Sequence, residues 1–148
     1  MTDELNKWHK RWLKLAKEVS DWSKDPSTQV GAVIADGKEL ISLGFNGFPE
    51  GVEDDHRLDL REEKLELVIH AEMNAILRAK RYLTFNTLYT YPMMPCHKCS
   101  PIIIQSGITK IICPIYKGGK WEESFAKSRK LLKEAHIQLI EVEEDGII

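Results

Sequence analysis

The sequence predicts an α/β fold: one sheet with parallel neighbours and helices on both faces. Three observations carry that expectation. The chain opens on an apolar stripe at helical spacing. Two short apolar segments then flank Asp36-Gly37, the strongest hairpin signal in the sequence. Beyond them, strand-like and helix-like segments alternate, and parallel strands need such crossovers.

Leu5, Trp8, Trp12, Leu15, Val19 and Trp22 lie three and four apart, with lysines and glutamates between them. That spacing puts them on one face of an opening helix, where the tryptophans are expected to serve the core or a subunit interface. Asp25-Pro26-Ser27 stops the helix, since proline disfavours helical backbone in the residue before it. Residues 30–35 and 40–45 read as strands joined at Asp36-Gly37. Asn46-Gly47-Phe48-Pro49-Glu50-Gly51 is rich in turn formers and opens a long polar loop through Asp54, Asp55 and Arg57. Loops of this length in a compact domain are usually functional or mobile. Residues 69–80 read as a helix that begins at His70, 87–91 as a strand, and 96–106 as a helix ended by Gly107. Residues 109–113 read as a strand, 122–135 as a helix and 137–142 as the last strand. No repeat or linker divides the 148 residues, so a single domain over 1–148 is expected.

Composition narrows the function. At 43 % hydrophobic and 30 % charged the chain has an ordinary globular balance. A formal net charge of −2 and the lack of a long basic run argue against a nucleic-acid surface. Arg78-Ala79-Lys80-Arg81 reads as a solvated helix end. No apolar run approaches membrane-spanning length, and the polar first residues are not those expected of a signal peptide. Two of the three cysteines stand in ligand spacing, which fits a reducing cytoplasm better than a disulfide framework. The third, Cys113, lies in Ile111-Ile112-Cys113-Pro114 and reads as a buried strand residue.

The chemistry is concentrated in His70-Ala71-Glu72 and Pro95-Cys96-His97-Lys98-Cys99. Each half is weak alone. The first can be an ordinary turn; the second can be a redox pair, half a zinc knuckle or two small core residues. Together, one histidine and two cysteines supply three ligands to one zinc ion. They leave the fourth position to water, the arrangement of a catalytic rather than a structural site. Glu72 is the carboxylate placed to move protons to and from that water. A structural zinc needs a fourth protein ligand. His97 is the nearest candidate, but it lies between the cysteines and is expected to point away. His9, His56 and His136 stand in no ligand spacing. Both segments open helices that follow strands, so their N-termini can meet at one sheet edge. The partial positive charge there favours thiolate.

The pattern H-x-E … P-C-x-x-C is the signature of zinc-dependent deaminases. The chain resembles the cytidine deaminase superfamily and, within it, the deoxycytidylate (dCMP) deaminases. The narrower resemblance rests on four segments: Ser23-Lys24-Asp25-Pro26-Ser27-Thr28-Gln29-Val30-Gly31-Ala32, Gly44-Phe45-Asn46-Gly47-Phe48-Pro49-Glu50-Gly51-Val52-Glu53-Asp54-Asp55, His70-Ala71-Glu72-Met73-Asn74-Ala75-Ile76 and Ile102-Ile103-Ile104-Gln105-Ser106-Gly107-Ile108. The loop segment separates the chain from deaminases of free cytidine or of tRNA adenosine. His97 and Lys98 depart from the family's Asn-Glu pair between the cysteines. The chain also lacks the spare cysteines of relatives with a second, structural zinc.

The resemblance implies a cytidine deaminase-like three-layer α/β/α sandwich with a five-stranded mixed sheet. It implies one catalytic Zn2+ on His70, Cys96 and Cys99, with Glu72 shuttling protons as dCMP is hydrolysed to dUMP and ammonia. That reaction supplies dUMP for thymidylate synthesis. The alternatives on the same fold are dCTP, free cytidine, tRNA adenosine or a riboflavin-pathway substrate. A catalytically silent module is a further alternative, against which the intact Glu72 argues. Asn46 and Ala71 are implied substrate contacts, and Lys24 and Tyr116 are candidates for its phosphate. Gly44, Asn46, Gly47, Gly51, Asp54 and Asp55 are the implied allosteric contacts for dCTP as activator and dTTP as inhibitor, with Mg2+ on the triphosphate. The family expectation is a cytoplasmic homo-oligomer, most often a hexamer, with a small deoxynucleotide as substrate and neither nucleic acid nor membrane as partner.

Overall fold

The structure is a computed structural model that describes residues 5–147. Helix α1 (Lys7–Ser20) begins where the Asn6 side chain accepts a hydrogen bond from the His9 amide at 2.8 Å. That N-cap satisfies one of the free donors of the first turn. The helix ends at Ser20, five residues before the expected stop at Asp25-Pro26-Ser27. Its buried face is Leu13, Ala16, Val19 and Ser20, not the tryptophan row. Trp12 sits beside that face, its indole N–H donated to the Gly37 carbonyl at 2.8 Å. Trp22 lies past the helix end, half exposed and edge-on to Phe45. A tryptophan is too large to fit where α1 lies closest to the sheet, and smaller residues take that place.

Strand β1 (Gly31–Asp36) turns at Asp36-Gly37 into β2 (Glu39–Phe45), and the two pair antiparallel. Strand β3 (Thr87–Tyr91) adds to the other side of β1, also antiparallel, and β4 (Lys110–Pro114) and β5 (Gln138–Val142) follow in parallel. The result is a mixed five-stranded sheet in the order β2-β1-β3-β4-β5. The two parallel steps require crossovers, supplied by α4 (Ser100–Gln105) and α5 (Glu122–Glu134).

The side-chain alternation of β1 divides the core. Val33 and Ala35 pack with Leu13 and Ala16 of α1 and with Tyr89 and Ile112. Ala32 and Ile34 pack on the other face with Ala75 of α3 (Ala71–Ala79), Ile103 of α4 and Leu132 of α5. One helix therefore covers one face and three cover the other, which is the expected three-layer sandwich. Cys113 is fully buried in β4. No helix among the described residues is long and apolar enough to cross a membrane.

The expected long polar loop after Asn46 is partly folded. A 3-10 turn spans His56–Asp59 and a second helix, α2 (Arg61–Leu67), follows it before α3.

Gly44, one of the implied effector contacts, has a packing role as well. It is buried in β2, and a Cβ there would stand 2.5 Å from the Ala75 nitrogen and 2.7 Å from the Ala71 carbonyl oxygen. The backbone of α3 lies directly on β2, so Gly44 has a packing reason. Gly44→Ala is expected to destabilise the fold by about 1–3 kcal/mol, the usual scale of overpacking. The measurement is a urea midpoint at unchanged slope. An unshifted midpoint would mean that α3 yields without cost.

Candidate active site

His70 is the N-cap residue of α3, with extended backbone (φ −69°, ψ 155°), and Glu72 lies in the first helical turn. The start of α3 is tied to the sheet at several points. Gly47 and Ile69 exchange backbone hydrogen bonds of 3.1 and 2.8 Å. The Asn74 side chain donates to the Phe45 carbonyl at 2.8 Å, and Ser42 Oγ donates to the Ala75 carbonyl at 2.7 Å.

The two cysteines do not sit inside a helix, as the reading of 96–106 expected. They form the turn that precedes α4. The amides of Cys99 and Ser100 donate to the Cys96 carbonyl at 3.2 and 3.0 Å, and Ser100 Oγ donates to it at 3.0 Å. Pro101 explains the late start: lacking an N–H, it is tolerated in the first helical turn and not deeper.

This turn faces His70. The histidine Nδ1 lies 3.2 Å from Cys99 Sγ and 3.5 Å from Cys96 Sγ, and the three ligand atoms all lie within 4.8 Å of one another. Zinc with Zn–S of about 2.3 Å and Zn–N of about 2.0 Å sets tetrahedral neighbours about 3.5–3.8 Å apart. The donor set therefore fits zinc with little movement, and thiolate with imidazole is the chemistry zinc prefers. Among the described residues no other group of histidine, cysteine and carboxylate atoms converges in this way. His97 is exposed and turned elsewhere, its Nδ1 2.8 Å from Ser124 Oγ.

The three groups share protons. The Cys96 thiol is held well below its ordinary value, first by its hydrogen bond with Cys99 and further by the one with His70. Cys99 is held above its ordinary value as the donor in that bond and by burial. The hydrogen bond to Cys96 also raises His70. Metal binding displaces such protons, because the ligands must be thiolate and neutral imidazole. Glu72 is 4 % exposed, and burial pushes its carboxyl above the usual range. A carboxyl whose charged form is disfavoured can hold a proton as well as accept one.

His70, Ala71, Glu72 and Cys96 line one cavity, and Asn46 lines it as well. The Asn46 amide is already engaged with the segment before β1. Its Oδ1 accepts from the Val30 amide at 2.9 Å, and its Nδ2 donates to the Thr28 carbonyl at 2.9 Å. A carbonyl oxygen has two lone pairs, so Oδ1 keeps one for a ligand.

Lys24 and Tyr116 are not among the lining residues. Lys24 is exposed and pairs with Asp54 at 3.3 Å. Tyr116 packs edge-on against Phe125, with ring centroids 5.8 Å apart, and it is Phe125 that reaches the cavity. The cations that do line it are Arg61, Lys64 and Lys120, of which sequence reasoning singled out none. Arg61 and Lys64 recur with Leu65 and Val68 at helical spacing on the cavity side of α2. Only Leu65 and Val68 of that face carry an apolar signal in the sequence. The remaining loop residues lie away from the cavity. Asp55 caps the 3-10 turn and accepts from the Arg57 amide at 3.0 Å and its Nε at 2.9 Å, which holds the Asp55 carboxyl below its usual value. Gly51 is exposed.

Comparison with known proteins follows the same lines. A family model described as the cytidine and deoxycytidylate deaminase zinc-binding region matches residues 6–115. An uncharacterized deaminase from the luxG 3′ region of Aliivibrio fischeri is 42 % identical over 138 residues, covering 91 % of this chain and 93 % of the relative. The deoxycytidylate deaminase of Mus musculus is 32 % identical over 145 residues, covering 91 % of this chain and 79 % of the mouse protein. The crystal structure of dCMP deaminase from the cyanophage S-TIM5 in complex with dCMP and dUMP superposes with a TM-score of 0.72, covering 94 % of this chain and 100 % of that one. At 20 % identity that likeness speaks for the fold. The matched region takes in α1, the whole β1–β4 sheet and every residue of the ligand cluster, and the chain accordingly belongs to the cytidine and deoxycytidylate deaminase zinc-binding family.

Proposed function

We propose that the chain is one zinc-dependent deaminase domain over residues 1–148 that hydrolyses dCMP to dUMP and ammonia. The observation that carries the reading is the buried carboxyl of Glu72 in the cavity that also holds His70 and Cys96. A zinc site that only stabilised the fold has no use for a proton carrier there. The relatives' names point to the same substrate.

His70, Cys96 and Cys99 would hold one zinc ion. When bound, zinc supplies the Lewis acidity that brings the pKa of a water molecule towards neutrality. Glu72 takes a proton from the attacking water and passes it to the ring nitrogen of cytosine; as the added hydroxyl becomes the carbonyl of uracil, Glu72 takes up that second proton and gives it to the amine, which leaves as ammonia. Met93, Met94 and Phe125 give the cavity apolar walls suited to the base. The free lone pair of Asn46 Oδ1 and the backbone of Ala71 are offered to the nucleoside. For the phosphate the cavity-lining cations Arg61 and Lys120 replace Lys24, and Tyr116 acts only through Phe125.

Two further parts of the reading concern the loop and the surface. dCTP as activator and dTTP as inhibitor would act on the loop of residues 44–55, with Mg2+ on the triphosphate. Asp54 supports this, because its partner Lys24 directly precedes the segment that holds Asn46. Leu77, Tyr82, Phe85 and Ile102 are exposed on α3, the loop after it and α4, and apolar surface of this kind supports a homo-oligomer, in this family a hexamer. A cytoplasmic enzyme that supplies dUMP for thymidylate synthesis fits the same picture.

The test is ammonia release from cytidine, CMP, dCMP and dCTP, each with and without dCTP or dTTP as effector. Fastest turnover is expected on dCMP, slowed by dTTP. A zinc-loaded protein inert towards all four removes the cytosine-nucleotide reading. Saturation curves unmoved by either triphosphate remove the regulation alone, and a monomer in light scattering removes the hexamer.

A further inference from the structure

Lys64 lines the cavity, yet its side chain is only 6 % exposed. A buried ammonium is expensive unless it is paired. Its partner is Asp25 Oδ1, 3.1 Å away on a side chain equally buried at 6 %. Asp25 in turn organises the segment that leads into β1. The same Oδ1 accepts from the amides of Ser27 and Thr28 at 2.8 and 3.1 Å, and Oδ2 lies 3.5 Å from Asn46 Nδ2. Ser23 Oγ closes the network, accepting from the Asp25 amide at 3.2 Å and donating to the Asn46 carbonyl at 2.8 Å.

The network therefore runs from α2 through one carboxylate to the amide of Asn46. It includes no member of the ligand cluster. As a source of stability alone it is a poor choice, because an apolar pair of similar volume does as well or better. What a buried carboxylate with several donors does provide is orientation. It acts on the Asn46 amide chiefly through the turn it holds: Thr28, whose amide Asp25 binds, takes Nδ2 on its carbonyl at 2.9 Å, the Val30 amide donates to Oδ1 at 2.9 Å, and Oδ2 itself stands 3.5 Å from Nδ2.

We propose that the buried Lys64–Asp25 pair is a positioning device for the nucleotide: Lys64 fixes Asp25, and Asp25 fixes Asn46 and the 25–30 segment on the cavity. The proposal rests on the deaminase reading of that cavity. Neither residue reaches the reacting atoms, so their loss should appear in substrate binding rather than in the chemical step.

The experiment compares wild type with Lys64→Met, Asp25→Asn and the double variant, all zinc-loaded. Lys64→Met is expected to raise KM for dCMP about 10- to 100-fold, the scale of one misplaced hydrogen bond to a buried group. Its kcat and zinc content should change little. The double variant removes both charges and should regain the urea midpoint without regaining KM. A folded Lys64→Met protein with wild-type KM overturns the proposal. So does a double variant that recovers both stability and KM, since the pair would then serve folding alone. Should Lys64→Met not fold, the double variant decides. Should wild type fail to turn over dCMP, the substrate reading falls by itself. The pair is then judged by the side-chain amide resonances of Asn46, which Lys64→Met shifts if Asp25 orients that amide and leaves in place if it does not.

Discussion

Glu72→Gln is expected to slow dCMP deamination by about 100- to 10,000-fold, the contribution of a positioned general acid–base group, with fold and zinc content unchanged. The upper part of the range is favoured because one carboxyl serves several proton transfers. Glutamine keeps the volume and the polar contacts of a side chain that is 4 % exposed, so the packing around α3 has no reason to change. It cannot take a proton from water, and it has none to give to the ring nitrogen or to the departing amine. The ligand atoms of His70, Cys96 and Cys99 belong to other side chains and stay as they are. The measurements are initial rates on dCMP and metal content per chain. A variant that retains half of the wild-type rate would sink the assignment, and one that loses its zinc would make Glu72 a structural support instead.

How far the sequence reaches can be read from particular residues. The β1–β2 hairpin was legible because Asp36-Gly37 is a local signal, and the ligand cluster because its residue types are rare and specific. Two features were hidden for physical reasons. Helix α2 and its C-cap Val68 present Arg61, Lys64, Leu65 and Val68 to the cavity, so half of that face is cationic and the apolar periodicity that marks a buried helix is broken. In the segment 23–32 Lys24 is the phosphate candidate, whereas its neighbour Asp25 is the buried charge. Asp25 finds its partner 39 residues away, and no local pattern announces a pairing at that distance. The turn at Cys96–Cys99 was misplaced into a helix because the run Ile102-Ile103-Ile104 carried the helical signal backwards past Pro101, which sets the true start.

The second large effect concerns the metal. Wild type is expected to hold one zinc per chain, and Cys99→Ala to lose it together with activity. Cys99 Sγ is the ligand atom closest to His70, at 3.2 Å, so its removal leaves two protein ligands where a catalytic zinc needs three. Replacing a group that only supports a ligand costs about 10- to 100-fold in metal affinity, and removing a ligand outright exceeds that. Cys99 is also 3 % exposed and packs in the core with Ala71 and Ile103. Alanine removes one sulfur from that core, a small deletion that the fold should survive. Cys113→Ala is the control: that thiol is equally buried, in a different cluster with Phe125 and Met94, and offers no ligand. It should keep both zinc and turnover. Treatment with a chelator followed by added zinc should restore wild type and Cys113→Ala but not Cys99→Ala. Full zinc occupancy in Cys99→Ala, or two zinc ions per wild-type chain, would mean that the metal is held elsewhere, and the chemistry assigned to this cavity would have to be drawn again from other residues.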